Sequence, residues 1–143
     1  MNMYYNSEGY ASPTEFEALS RIRREENKEK RMRRYKPMVY ICSPFSSGDK
    51  KQNIINTRRF CKYAVAQNCI PFAPHLLFPQ FMDDSNPEER DAAFKMNNIM
   101  LGKCDELWVF GNRYTEGMQR EMKWAKRKKL HIRFFDENGK EQI

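Results

Sequence analysis

The alternation of apolar and polar residues changes in kind at about residue 37. Before that point the chain is charge-rich with a thin, interrupted apolar stripe, which suits either a helix lying on another surface or a mobile arm. From Met38 onward, short apolar runs alternate with longer segments of helical periodicity, a pattern typical of β-α units around a mainly parallel sheet. We therefore predict a charged N-terminal arm over residues 1–37, helical or mobile, and an α/β domain over residues 38–143.

The apolar runs have the length of strands, and the periodic segments between them have the length of helices. Strands are predicted at residues 38–42, 69–72, 107–110 and 130–135, and helices at about 50–67, 88–103 and 116–128. Pro71 favours either an edge position for the second strand or a place for this proline early in the strand. The predicted fold is a small doubly wound α/β domain, flavodoxin-like or Rossmann-like, with a mainly parallel sheet of four to five strands and helices on both faces, preceded by the charged N-terminal helical arm.

Two segments carry more detailed expectations. In the helix at residues 50–67, the period places five apolar residues toward the core: Ile54, Ile55, Cys61, Ala64 and Val65. Residues 73–87 have no clear period and contain several prolines, so we predict an irregular loop of unusual length. Loops of that length in compact domains are often functional.

The predicted topology also indicates where a ligand binds. In an open parallel sheet, ligands lie beyond the carboxyl ends of the strands, where helix N termini offer unpaired N–H groups. Three predicted loops lie at this edge, at residues 43–48, 73–75 and 111–117. We expect these loops to surround the ligand.

The segment after the third strand is the most informative. Thr115 is expected to cap the following helix, and Gly117 lets a ligand approach the first turn. Glu121 lies four residues beyond Gly117 and therefore on the same helix face. A partly buried carboxylate there can act as a nucleophile toward a sugar C1′ or as a base. The alternative is an exposed carboxylate paired with a basic neighbour: Arg120, Lys123 or Lys128.

The other loops offer further candidates. The turn that contains Ser43, Pro44, Phe45 and Ser46 suits a phosphate, or it is an ordinary strand-to-helix turn with a serine cap. His75 is placed to contact a base, a phosphate or a leaving group, or it is structural. Arginines can grip phosphate oxygens with two hydrogen bonds, although the alternative is a solvated face. The arginines considered are Arg58, Arg59 and Arg113.

Composition limits the function further. The net charge of +7 is spread along the chain without a dense basic stripe, so it does not favour DNA or RNA binding. No apolar run is long enough to span a membrane and the N terminus does not resemble a signal peptide, so we expect a cytoplasmic protein. The four cysteines form no C-x-x-C pair and are expected to be buried small hydrophobes. No cofactor is predicted. Four acidic residues could in principle form a metal site, but their spacing does not match a known set of metal ligands, so no metal is predicted either: Asp83, Asp84, Glu88 and Glu89.

Residues 40–45, residues 104–111 and residues 115–121 with Ala125 together resemble the nucleoside 2-deoxyribosyltransferase-like superfamily. More closely, they resemble its small DUF4406-type branch, which is common in bacteria and their mobile elements. The resemblance covers residues 38–135 and not the arm. It implies a nucleotide or nucleoside ligand. It also implies a homo-oligomer, because sites in the superfamily are often completed across a subunit boundary.

The resemblance implies roles for particular residues. Glu121 matches the glutamate that attacks the deoxyribose anomeric carbon, and Tyr40 matches a first-strand aromatic residue that steers it. Thr115 stands where the monophosphate hydrolases have a phosphate-binding hydroxyl. The transferases carry an aspartate where this chain has Asn97, and an amide cannot donate a proton as an acid does, so the general acid is unassigned. The candidate replacements are His75, Asp83 and Asp84.

These observations predict an N-glycosidase or 2-deoxyribosyltransferase that acts on (deoxy)nucleoside 5′-monophosphates through a covalent sugar-glutamate intermediate. The alternative is a catalytically silent nucleotide-binding module, such as a sensor or sequestering protein of a phage or mobile element. A third hypothesis is an interaction protein whose N-terminal arm recruits partners, and such a protein would need no ligand pocket. The predicted catalytic residues are Glu121, Tyr40 and His75. The predicted substrate-binding residues are Ser43, Pro44, Phe45, Ser46, Asn97, Gly111, Arg113, Thr115, Glu116, Gly117 and Met118.

Overall fold

A computed structural model of the chain describes residues 13–143, and their side chains apart from those of residues 13 and 31–34. Its contacts form two units, Met1–Tyr35 and Lys36–Ile143. In the first unit, a helix named α1 spans Pro13–Arg34, and nearly all of its described side chains are exposed. Residues 13–34 of the predicted arm are helical, and residues 35–37 are not. The part of the predicted arm before residue 13 lies outside the described residues.

The second unit alternates strands and helices in the order expected of β-α units. Its elements are β1 (Met38–Cys42), α2 (Lys50–Ala66), β2 (Ile70–Phe72), α3 (Pro74–Leu77), a 3₁₀ turn (Phe78–Gln80), α4 (Pro87–Lys103), β3 (Glu106–Phe110), α5 (Glu116–Arg127), β4 (His131–Phe135) and β5 (Glu141–Gln142). The short terminal strand β5 and the helical turns after β2 are absent from the sequence prediction.

The strands form one sheet in the order β2-β1-β3-β4-β5, in which β5 alone pairs antiparallel among the described strands. The doubly wound α/β fold and the edge position of the strand that contains Pro71 are thereby confirmed. Asp105 fixes the register where β1 and β3 begin. Its carboxylate accepts a hydrogen bond from the Met38 N–H at 2.8 Å, and its own N–H donates to the Met38 carbonyl at 2.7 Å.

Successive side chains of β1 point to opposite faces of the sheet and pack into two separate hydrophobic clusters. Val39 and Ile41 pack with the α2 side, where Phe60 stacks on Phe110 with ring centroids 4.1 Å apart. The intervening side chains of β1 pack with residues of α4 and α5 on the other face. β1 therefore directs Tyr40 and Cys42 toward α5.

The predicted core face of α2 is partly wrong. Ile55 and Val65 are 49% and 60% exposed, whereas Thr57 and Phe60 are buried. Thr57 is buried because its hydroxyl is paired, lying 3.0 Å from the Ser43 hydroxyl and donating to the Asn53 carbonyl at 2.8 Å. A periodicity analysis that counts only apolar residues cannot recognise such a buried polar position.

The prediction of an irregular loop over residues 73–87 is also wrong in part. Residues 74–80 form one turn of α-helix followed by a 3₁₀ turn. Pro74 and Pro79 each lie at the start of a turn, where the fixed φ of proline favours helical geometry and its missing N–H is not needed. Residues 74–80 therefore have regular helical structure and are not part of an irregular loop.

We expect Phe110→Ala to destabilise the α/β unit by about 3–5 kcal/mol, because it leaves a cavity among fully buried aromatic rings. Urea unfolding followed by circular dichroism measures the change. Phe81→Ala is the matched control, since that ring is 65% exposed and its loss is expected to have little effect. Equal losses from the two substitutions would contradict the assignment of the core.

Candidate active site

A cavity of about 400 Å³ lies beyond the carboxyl ends of β1, β2 and β3, where the sheet topology places ligands. Its wall is formed by the turn after β1, the short helical segment after β2, α4 and the first half of α5. The predicted site residues that line it are Ser43, Phe45, Ser46, His75, Asn97, Thr115, Glu116, Gly117, Met118 and Glu121.

The turn after β1 is held in place by side chains of α2. Asn53 donates hydrogen bonds to the carbonyls of Phe45 and Ser47 at 2.8 and 2.7 Å. Asp49 caps α2 by accepting from the N–H groups of its first turn. Because Asp49 is the cap of α2, the interpretation of this turn as one with a serine cap is wrong. Ser46 is instead exposed at the cavity.

The N terminus of α5 faces the cavity. Thr115 caps the helix as expected, with its Oγ1 accepting from the Met118 N–H at 3.2 Å. Gly117 has ordinary helical backbone, and a Cβ added there would meet only the Thr115 hydroxyl, at 3.9 Å. This glycine therefore leaves open space beside the first turn, where the N–H groups of Glu116 and Gly117 are not used by the cap.

Glu121 is the one buried carboxylate among the described residues, with 5% of its surface exposed. Burial raises its pKa to about 7, against opposing effects of Tyr40, Cys42 and the positive charge of Arg120. The thiol of Cys42 lies 3.8 Å from its Oε1. The alternative of an exposed, ion-paired helix glutamate is therefore wrong. At neutral pH this carboxyl group is divided between its charged and neutral forms.

Tyr40 lies beside Glu121 beneath the cavity. Burial, and then the charge of Glu121, raise the pKa of the Tyr40 hydroxyl well above its usual value, so it remains protonated. The Tyr40 hydroxyl and the Glu121 Oε2 are both buried, and neither has a partner of standard hydrogen-bond geometry in the part of the chain that the structure describes. Their interaction nevertheless lowers the pKa of Glu121. The hydroxyl is thus close enough to stabilise the charged carboxylate.

His75 lies flat against Phe45 in the opposite wall, with ring centroids 4.7 Å apart and an interplanar angle of 1°. Burial lowers its pKa to about 4, although the negative charge of Asp84 opposes this. The imidazole is therefore neutral at pH 7. Asp83 accepts from the backbone N–H and hydroxyl of Ser85, and these bonds lower its pKa as well. At neutral pH His75 therefore lacks the acidic proton of an imidazolium and Asp83 is ionised, so neither is placed to act as the general acid.

Asn97 projects from α4 into the cavity and is only 8% exposed. Its Oδ1 is buried without a hydrogen-bond partner among the described residues. A buried carbonyl oxygen of this kind costs free energy unless a donor satisfies it. A ligand N–H or O–H in the cavity would supply that donor.

Three predicted site residues line a neighbouring cavity of about 200 Å³ instead. They are Pro44, Gly111 and Arg113. The two cavities share Ser43, Ser47 and Thr115, so the cap of α5 lies between them. Arg58 and Arg59 line neither cavity, and Arg59 donates to the Glu137 carbonyl at 3.1 Å. Both side chains are exposed, which favours the alternative of a solvated face.

The sequence analysis missed a stripe on α4 that lines the main cavity. Phe94 and Arg90 lie one and two turns before Asn97 on the same helix face. The guanidinium of Arg120 lies 4.4 Å from the centroid of the Phe94 ring, and that of Arg90 lies 5.4 Å from it. The spacing of Phe94 and Arg90 from Asn97 along a helix would have indicated that both line the same cavity. Only the tertiary structure places Arg120 of α5 against Phe94.

Other chemistry is limited in the described part of the chain. Residues 13–143 contain no group of three or more His, Cys, Asp or Glu side chains arranged to hold a metal ion. All four cysteines are free, and three of them are buried. No helix within the described residues is long and apolar enough to span a membrane.

A family model for a domain of unknown function, DUF7768, matches residues 37–135, which is most of the α/β unit. The chain belongs to the DUF7768 family. No curated protein matches it significantly. The family match neither includes nor excludes the DUF4406-type branch, which stays a prediction.

The DUF7768 domain has the fold of a known enzyme structure. A 2-deoxyribosyltransferase from the psychrotolerant bacterium Bacillus psychrosaccharolyticus, characterised as a biocatalyst for nucleoside synthesis, matches with a TM-score of 0.55 and 16% sequence identity. The match covers 69% of this chain and 72% of that one. At this identity the similarity shows a shared 2-deoxyribosyltransferase-like fold.

We expect Glu121→Gln to stabilise the domain at alkaline pH and to change its stability little at pH 5. The folded-state pKa of about 7 lies above the ordinary 4.5, so the stability that comes from the protonated carboxyl is complete below about pH 4.5 and is lost as the pH rises through 7. The neutral glutamine avoids that loss, which is on the order of 2–3 kcal/mol above pH 8.

Urea unfolding of both proteins at pH 5, 7 and 9 measures this difference. Glu137→Gln is the matched control, because that side chain is exposed. A stability gain that is the same at pH 5 and pH 9 would contradict a raised pKa at Glu121.

Proposed function

We propose that the DUF7768 domain is an N-glycosidase or 2-deoxyribosyltransferase that acts on (deoxy)nucleoside 5′-monophosphates. The observation that carries the proposal is the buried, titratable carboxylate of Glu121 in a cavity at the carboxyl edge of the sheet. A carboxylate that lacks a cationic partner and is poised near neutral pH is typical of catalytic rather than structural groups.

In the proposed reaction, a Glu121 oxygen attacks the anomeric carbon as the bond to the base breaks. The product is a covalent sugar ester, which water hydrolyses or a second base attacks. The proposed role of Tyr40 is to steer the carboxylate, because its buried hydroxyl lies close enough to Glu121 to lower the pKa of that carboxyl group. Thr115, Gly117 and the serines of the first turn contact the sugar or the phosphate.

The opposite wall suits the base. The stacked rings of Phe45 and His75 present an aromatic surface to the cavity, and Asn97 presents an unpaired amide oxygen. A planar heterocycle with N–H groups satisfies both features. His75 is neutral at pH 7, so its proposed role is contact with the base and not proton donation.

A second candidate function is a catalytically silent nucleotide-binding module, such as a sensor or sequestering protein of a phage or mobile element. The observation that favours it is Asn97, because an amide stands in the cavity where the resemblance implies an acid. The homo-oligomeric assembly and cytoplasmic location predicted from the sequence remain predictions under either function.

We expect the protein to release free base from at least one member of a panel of deoxynucleosides and their 5′-monophosphates, detected by liquid chromatography. Glu121→Gln should lower that rate by roughly 10³-fold or more, because it removes the nucleophile. Glu137→Gln, which alters an exposed carboxylate, should not. Saturable binding by calorimetry without base release would support the silent module, and neither binding nor release would contradict both functions.

The rate of base release should rise with pH through about 7 and level off above it, because the carboxylate form of Glu121 attacks and its pKa is about 7. Below that value, kcat/KM should fall about tenfold for each pH unit. A profile that is flat between pH 5 and pH 8 would contradict Glu121 as the nucleophile. The profile is measured with the same chromatographic assay.

A further inference from the structure

The proposed reaction lacks a proton donor for the departing base. Asn97 is an amide, and the neutral ring of His75 holds no acidic proton at pH 7. Of the other carboxylates that line the cavity, Asp83, Asp84 and Glu116 are exposed and Glu89 is half-buried. None of them stands at residue 97, where the resemblance implies the acid, so the departing base needs stabilisation by another group.

Arg120 is the charged donor nearest in sequence to the nucleophile, and it faces the same cavity. Its guanidinium lies 4.4 Å from the centroid of the Phe94 ring, which fixes its plane from the α4 side. It is half-buried and forms no ion pair with a carboxylate in the described part of the chain. Its hydrogen-bond donors are thus free for a ligand.

We propose that Arg120 replaces the missing general acid by stabilising the departing base as an anion. This inference rests on the proposed function. The bond between C1′ and the base nitrogen breaks with its electron pair going to the base, while a Glu121 oxygen forms the new bond to C1′. No proton moves in this step. The base anion takes its proton from water after departure.

Charge conservation explains why an arginine suits this position. Before reaction the negative charge is on Glu121, where the positive charge of Arg120 already lowers the carboxyl pKa. As the ester forms, that charge moves to the base, which occupies the same cavity. Arg120 interacts with the charge at both ends of its path, so the cation need not be rearranged between ground state and transition state.

The experiment compares leaving groups that differ in charge. Uracil leaves 2′-deoxyuridine 5′-monophosphate as an anion unless it is protonated. 7-Methylguanine leaves the cationic 7-methyl-2′-deoxyguanosine 5′-monophosphate as a neutral molecule. On the pH plateau above the pKa of Glu121, where the nucleophile is ionised in both proteins, we expect Arg120→Gln to lower kcat for uracil release by roughly 10²-fold or more, and kcat for 7-methylguanine release by less than about 3-fold.

Two further variants make the comparison specific. Arg120→Lys keeps the charge without the planar guanidinium and should lose about tenfold on uracil release. Lys123→Gln removes a positive charge from an exposed position on the same helix and should change neither rate. Thermal melts of each variant establish that the fold is retained, and Arg120→Lys serves the test if the glutamine variant does not fold.

The outcomes separate the two proposals. A selective loss of uracil release in Arg120→Gln supports the inference. Equal losses with both substrates, as expected if Arg120 held the common 5′-phosphate, would overturn it and leave the proposed function intact. Unchanged rates would overturn it as well. Failure of the unsubstituted protein to release either base, including the activated 7-methylguanine, would overturn the proposed function and this inference with it.

Discussion

Burial of the Glu121 carboxylate between β1 and α5 is the constraint on which the rest of the site depends. A carboxylate with 5% exposure and no ion pair among the described residues is costly to bury, and this burial raises its pKa to about 7 although the charge of Arg120 opposes the shift. The fold tolerates it through two weak donors from β1, Tyr40 and Cys42, which reach it because alternate residues of a strand share a face. The same arrangement leaves the carboxyl group divided between its charged and neutral forms near neutral pH.

The sheet supplies the rigidity that this position needs. Asp105 ties the beginnings of β1 and β3 together, so the ends of both strands reach the cavity in fixed register. Ala125 and Met118 are buried where α5 packs against the sheet, and they hold the Glu121 turn between them. Replacing Glu121 is therefore a change within the core as well as within the candidate site.

The wall formed by α4 and α5 distinguishes this cavity from one that uses a carboxylic acid on the leaving base. Asn97 offers a buried acceptor, and Arg120, stacked on Phe94, offers unpaired donors. Electrostatic stabilisation by a preoriented cation can replace proton transfer when the leaving group bears the charge. In the proposed reaction, the guanidinium of Arg120 takes over the stabilisation of the departing base that a carboxylic acid at residue 97 would give.

The sequence by itself determined the order of the first four strands and the three long helices of the α/β unit, and the cap and glycine before Glu121, because these depend on local periodicity and turn chemistry. It did not determine that Thr57 is buried, that Arg113 faces a second cavity, or that Arg120 meets Phe94. Only the tertiary structure decided these, since each depends on contacts between residues far apart in the chain. The pKa of Glu121 belongs to the same class, because desolvation is a property of the packed core and not of the helix that carries the residue.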